Sequence, residues 1–224
     1  YLLSYLNELK NSSKWKLWKK LIFETNVGNP VRYFLYPKSS GNKIFQTYHL
    51  KKYEDFCKIS LRKFNYVVEF GGGYGNMAAT FRKINPNIKF IIFDTFEVNL
   101  LQYYYLKRHQ LNINFNNQKN TKGIDLVNSL KLLKSKIAQI KKKNKTLLIA
   151  NWSISETPLN LRKKIFFLFK EFDFQLISYQ DKFENIDNKK FFTKIKIFNE
   201  KKNRKSKITS IEKMNKHYYL FCKK

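Results

Sequence analysis

An α/β fold built on a mostly parallel sheet, with a helical cap at its N-terminal end, is what this 224-residue sequence predicts. Three observations carry that reading. From Asn65 onward short apolar runs alternate with amphipathic segments, the rhythm of parallel strands joined by crossover helices. Four of the seven glycines fall together in VVEFGGGYGN, Val67 to Asn76, between the first such run and a helical pattern. The first 64 residues show helical spacing instead, broken by one stretch bearing glycine and proline.

Taken in order, Leu2, Leu3, Leu6 and Leu9 suit one helix face, and Trp15, Trp18, Ile22 and Phe23 suit a second. The segment TNVGNPVRYFLYPKSSGN reads as loop, and a further helix over about Ile44 to Ile59 leads to the first strand. Residues 1–64 are therefore expected to form a helical cap and 65–224 the main domain. NYVVEF is the first strand; Met77, Phe81 and Ile84 mark one face of the helix after the glycines, which NPN stops. KFIIFD is the next strand, EVNLLQYYYLKRH a helix and INF a short strand. Leu126, Leu130, Leu133, Ile137 and Ile140 form an apolar stripe at spacings of four and three, which predicts a single helix. TLLIAN, FQLISYQ and HYYLF are further strands, with a helix through Leu161, Ile165, Leu168 and Phe172 entered at Thr157-Pro158. The Lys-rich EKKNRKSK reads as a loop.

Composition bounds the function. A content of 43% hydrophobic residues supports a sizeable core, and no apolar run approaches the roughly 18 residues of a membrane span. The opening YLLSYLNELK lacks the basic-then-apolar layout of a signal peptide, and two distant cysteines, Cys57 and Cys222, argue against a disulfide framework or zinc site. A reducing cytoplasm is the expected compartment. The net charge of +29 points to polyanions, but only six of the cations are Arg, the residue suited to bidentate phosphate recognition. Abundant Lys, Asn, Ile, Phe and Tyr is also what AT-rich coding produces, so nucleic acid is a disfavoured partner.

The glycine cluster sits where an adenosine-containing cofactor binds in such folds, at the carboxyl ends of parallel strands. A dinucleotide site needs Gly or Ala at the third position of G-x-G-x-x-G, and counting from Gly71 that position is Asn76. The pattern acid-x-G-x-G-x-G fits instead, at Glu69, Gly71, Gly73 and Gly75, with Gly72 between; it is the first motif of class I S-adenosylmethionine methyltransferases. That cofactor carries sulfonium and ammonium charge, which Glu69 opposes. Asp94, 21 residues past Gly73, is placed for the two ribose hydroxyls, and Asn151 ends the fourth strand beside the first.

Two blocks carry a closer resemblance. IIFDTFEVNLLQYYYLKRH and ANWSISETPLNLRKKI resemble the "DLPE...LQ.YYL" and "SWSxSEMP" segments of the sugar O-methyltransferase family, and YQDKFENIDN is similar to its late segment. The likeness runs from about Tyr66 to Asn188; Thr95-Phe96 stand where the family has Leu-Pro, and Thr157 where it has Met. It implies a Rossmann-like class I methyltransferase fold with a mostly parallel seven-stranded sheet, S-adenosylmethionine as cofactor, and a sugar or glycan hydroxyl as acceptor. The alternatives are an RNA methyltransferase, and a non-catalytic nucleic-acid or glycan binder on a degenerate fold.

A sugar hydroxyl needs a positioned base for in-line attack. Glu156, in ANWSISE and expected to be buried beside Trp152, is the first candidate; stabilising the first turn of its helix is the competing role. His49, delivered by the cap, is the second candidate, against an ordinary packing role. Trp152, Ser153 and Ser155 are expected at the acceptor rim, and Asp181 and Asn188 as donors and acceptors to sugar hydroxyls, where turn formation explains them equally. Neither His109 nor His217 has metal-ligand spacing to another histidine, so no metal is expected.

Overall fold

The computed structural model describes residues 1–115, 123–140 and 144–224. Three helices come first: α1 (Leu2–Lys10), α2 (Trp15–Ile22) and α3 (Gly41–Cys57). The apolar spacing buries Leu6 and Leu9 of α1, and Trp18 and Ile22 of α2. Phe23 departs from that reading: the backbone turns extended after Ile22, and its ring is left 54% exposed. The expected loop before α3 contains a short antiparallel hairpin, β1 (Arg32–Tyr33) with β2 (Tyr36–Ser40), whose last residue caps α3 by accepting the Lys43 N–H on its hydroxyl at 3.1 Å.

The alternating half follows as β3 (Tyr66–Phe70), α4 (Asn76–Ile84), β4 (Lys89–Phe93), α5 (Phe96–Arg108), β5 (Ile113–Phe115), β6 (Ile124–Val127), α6 (Leu130–Ala138) and β7 (Thr146–Asn151). Then come α7 (Leu159–Lys164), α8 (Phe167–Glu171), β8 (Phe174–Gln180), the small hairpin β9 (Lys182–Phe183) with β10 (Ile186–Asp187), α9 (Asn188–Lys201), β11 (Lys205–Ser210) and β12 (His217–Lys223). Among the described residues the main sheet has eight strands in the order β11-β12-β8-β7-β3-β4-β6-β5. From β5 to β8 every neighbour is parallel; β12 runs antiparallel to β8, and β11 to β12.

Two strands correct the sequence reading. Leu126 belongs to β6, an interior strand buried at Ile124, Leu126 and Val127, and only the later part of the stripe is helix; Leu126 shared the helical spacing by coincidence. The Lys-rich segment is a loop only over residues 202–204; its ends close α9 and open β11. Its lysines alternate along the sheet's edge, where charge discourages pairing with another chain. The helix expected through Phe172 is two short ones, entered at Pro158.

Period-two alternation splits the core into two layers. Val67, Phe90, Leu147 and Leu176 pack with α1 to α5, whereas Val68, Ile91, Leu148 and Ile177 pack with α6, α8 and α9. Helices α1 to α3 therefore share one apolar cluster with the sheet, and Tyr53 of α3 donates to the Cys222 carbonyl of β12 at 2.8 Å. Cys57 and Cys222 are buried free thiols. No described helix is long and apolar enough to cross a membrane, and no three His, Cys, Asp or Glu among the described residues gather as a metal site.

Candidate active site

Because β3 is flanked in parallel by β4 and β7, the three strand ends converge, and the glycine turn leaves β3 between them. Gly71 (φ +73°) donates to the Phe93 carbonyl at 2.8 Å, and a Cβ there would lie 2.2 Å from that of Ser153, so the turn and the segment after β7 touch only because residue 71 has no side chain. Gly72 donates its N–H to Asp94 Oδ2 at 2.9 Å. Gly73 (φ +52°) faces open space, with no atom within 4 Å of a Cβ, and Gly75 opens α4.

Helix α3 lies over this turn. Between them is a cavity of about 270 Å³ walled by Phe45, Gln46 and His49 of α3, by Glu69 with Gly71 to Gly73, and by Asn151 and Trp152. Asn42 of α3 and Tyr74, hydrogen-bonded at 2.6 Å, join that helix to the turn at the cavity's edge. The structure thus brings Glu69, Gly71, Gly72, Gly73, Asn151, Trp152 and His49 to one space, from three separate stretches of sequence, while Gly75, packed against Leu106, and Asp94 lie outside its wall.

Glu69 is buried with no hydrogen-bond partner for Oε2. Burial, and then the nearby Asp94 charge, push its pKa up from 4.5 to about 8. The native protein therefore holds a proton here that the unfolded chain releases between about pH 4.5 and pH 8, and stability falls as pH rises through that window. Glu69→Gln is expected to flatten the decline in chemical-denaturation free energy over those pH values; an unchanged slope would show that Glu69 is ionised throughout.

Asp94, half-buried at the end of β4, accepts from Gly72 N–H, Thr95 N–H (3.0 Å) and Gln102 Nε2 (2.9 Å). Burial raises its pKa and these hydrogen bonds oppose the rise. They fill most of the roughly four acceptor positions of a carboxylate. Gln102 also donates to the Gly73 carbonyl at 2.9 Å and accepts from Asn99 Nδ2 at 2.8 Å, tying the strand end to α5. It sits two turns into α5 within LLQYYYL, and sequence reasoning did not single it out.

At the end of β7, Asn151 Oδ1 accepts from the Ser178 hydroxyl at 2.9 Å, while Nδ2 is buried without a partner. Trp152 has a left-handed backbone (φ 63°), fixed by its N–H donating to the Ser178 carbonyl at 2.8 Å. The strained backbone turns the indole into the cavity, stacked on Phe45 at 5.4 Å and edge-on to His49 at 5.4 Å.

His49 is fully buried, and burial pushes its pKa down to about 3, so the ring is neutral. Its Nδ1 pairs with the Tyr219 hydroxyl, and Nε2 has no partner.

Other expected rim residues are placed differently. Ser153 Oγ donates to the Phe70 carbonyl, and Ser155 Oγ lies 2.6 Å from the Trp152 carbonyl and 2.8 Å from Gln180 Oε1. Both hydroxyls serve the loop itself. Glu156 is exposed, outside the cavity wall, with Oε1 accepting from Gln180 Nε2 at 3.4 Å; the turn of 3₁₀ helix over Ser153–Glu156 points it to solvent, against the expected burial beside Trp152. The organiser here is Arg162, buried and unforeseen from sequence: Nε donates to the Thr157 carbonyl (2.8 Å), Nη2 to the Ser155 carbonyl (2.7 Å) and Nη1 to Asn188 Oδ1 (2.7 Å). Asn188 Nδ2 reaches the Ser155 carbonyl at 3.2 Å, so both ends of its amide are engaged in pinning NWSISETP. Asp181 joins this structure through its backbone, from the Lys216 carbonyl to the Asn188 N–H, and neither residue lines the cavity.

No protein-family model matches the sequence, and no curated protein matches it. Solved structures share its fold. A precorrin-6y C5,15-methyltransferase from Geobacter metallireducens GS-15 is 8% identical with a TM-score of 0.55, over 90% of this chain and 96% of that one. An rRNA methylase from Streptococcus thermophilus is 12% identical (TM-score 0.54; 78% and 95%). Fibrillarin from Aeropyrum pernix, with natively bound S-adenosyl-L-methionine, is 8% identical (TM-score 0.54; 91% and 86%). At such identities the likeness establishes a Rossmann-like methyltransferase fold.

Proposed function

We propose that this chain is an S-adenosylmethionine-dependent O-methyltransferase whose acceptor is a sugar hydroxyl, in a glycan or a nucleotide-linked precursor. The observation that supports the reading is the cavity lined by His49, Glu69, Gly73 and Asn151, beside which Glu69 Oε2 and Asn151 Nδ2 are buried without partners. Those residues fit the cofactor. Glu69 is a buried carboxyl waiting for a positive partner and Asn151 Nδ2 a donor waiting for an acceptor; Asp94, at the neighbouring strand end outside the cavity wall, would take the ribose diol. When bound, S-adenosylmethionine supplies an electrophilic methyl group on sulfur.

The chain's own part is to bind, orient and take a proton. In the tautomer with the proton on Nδ1, toward the Tyr219 oxygen, neutral His49 keeps its Nε2 lone pair for the acceptor hydroxyl. A hydroxyl becomes strongly acidic only as its oxygen forms the new bond, so the proton transfers late and a weakly basic imidazole suffices. The Phe45–Trp152 stack gives a sugar ring an apolar face to rest on. The sugar specificity rests on the resemblance of LLQYYYL and NWSISETP described above. Glu156 keeps a structural role in this reading.

The deciding experiment offers methyl-labelled cofactor with a polysaccharide extract and, separately, total RNA. Label is expected in polysaccharide; label in RNA alone contradicts the sugar acceptor, and binding of cofactor with label in neither supports a non-catalytic protein.

A further inference from the structure

A second surface, away from the cavity, has its own chemistry. Lys16, Lys19 and Lys20 of α2 and Lys83 of α4 line, with exposed Phe23, an open concavity of about 470 Å³. Lys83 lies seven residues along α4 from Asn76, about 10 Å at 1.5 Å per residue, so the concavity is at the far end of that helix from the glycine turn.

Three features of it lack a structural explanation. None of the four ammonium groups has a carboxylate within 4 Å among the described residues, although Lys14, one turn earlier, is paired with Glu54. Glu24, which attracts Lys83, is itself buried and held by Ser40 and Thr25. Lys16 and Lys20 are four apart on one helix face, a repulsive spacing, and Lys16 stands in the first turn of α2, where the helix dipole disfavours a cation. Finally, Phe23, lining the same concavity, is 54% exposed, and Lys83 Nζ donates to its carbonyl at 2.9 Å, tying the aromatic residue to the lysines.

We propose that this concavity binds single-stranded nucleic acid, one base stacking on Phe23 while the lysines of α2 and α4 neutralise the flanking phosphates. Stacking platforms bordered by positive charge are how proteins hold single strands without reading sequence. Lysine suffices for that, because phosphate neutralisation needs charge rather than a bidentate fork. An anionic membrane is the lesser fit: interfacial binding needs a protruding apolar stripe, and here one ring lies among four cations in a hollow. The inference concerns binding alone and stands whatever the methyl acceptor is.

The test measures fluorescence anisotropy of labelled 12-nucleotide oligoadenylates, ribo and deoxy, against salt, on the full chain. Lys16→Ala/Lys19→Ala/Lys20→Ala is expected to reduce the slope of log K against log salt by about 2. A charge-matched control on α9, Lys190→Ala/Lys194→Ala/Lys201→Ala, is expected to change it far less. Phe23→Ala and Phe23→Leu should each weaken binding about tenfold with the slope unchanged, and Phe23→Tyr should restore it. All these side chains are exposed or half-exposed, and an unchanged melting temperature confirms each variant folded. Equal losses from the two triple variants, native affinity in Phe23→Leu, or binding to phosphatidylserine vesicles but to neither oligonucleotide would each overturn the proposal. Binding of only one oligonucleotide supports it and identifies the sugar.

Discussion

Asp94→Ala is expected to abolish the rise in melting temperature that S-adenosylhomocysteine gives the native protein. At a ligand concentration 100 times Kd, binding adds about 2.7 kcal/mol, or roughly 5–10 °C for a chain of this size. Asp94 stands at the end of β4, joined to both Gly72 and Gln102. Removing its carboxylate deletes the proposed acceptor for the ribose and also frees the turn that would receive the rest of the cofactor. Asp94→Asn separates the two effects: it keeps one acceptor oxygen for Gly72 and is expected to retain part of the shift. A full shift in Asp94→Ala, in a differential scanning measurement at saturating ligand, would place the cofactor elsewhere.

The second large effect concerns the base. His49→Gln is expected to slow methyl transfer by about 100-fold or more while leaving cofactor affinity close to native. Gln preserves much of the side-chain volume in a site where His49 is fully buried among Phe45, Trp152 and Tyr219. Glu156→Gln, altering an exposed side chain bonded only to Gln180, is expected to turn over at nearly the native rate. Burial holds the imidazole pKa near 3, so the kcat profile should lack the acid limb near 6.5 of an ordinary histidine. Single-turnover assays on the two variants decide it, and the opposite pattern, slow Glu156→Gln with active His49→Gln, would return the base to Glu156.

The parts of the fold legible in the sequence were those whose local pattern and tertiary role agree. The strands around VVEF, KFIIF and TLLIA are buried on both faces and read as apolar runs, while the glycine turn advertised a close approach that Gly71 makes against Ser153. Where Lys dominates composition the signal failed. The buried positions Phe192, Ile195 and Asn199 of α9 are outnumbered by lysines, and β11 alternates Lys with Ser and Ile, so neither element stood out. At the site, strand-end residues could be placed because the topology of parallel strands fixes them. The direction of Glu156 could not, because it depends on a left-handed Trp152 and on Arg162 drawing Ser155, Thr157 and Asn188 together across 26 residues between Arg162 and Asn188. Such long-range hydrogen bonding leaves no periodic trace.

The most direct test of the central claim, that Glu69 and the glycine turn seat a cationic methyl donor, is a calorimetric titration with S-adenosylhomocysteine at pH 7 in buffers of different ionisation enthalpy. The ligand's ammonium group should drive Glu69 to ionise, giving one-to-one binding with release of close to one proton, and Glu69→Gln should bind with no release. Binding with the same proton count in both proteins, or no heat of binding at millimolar ligand, would contradict it.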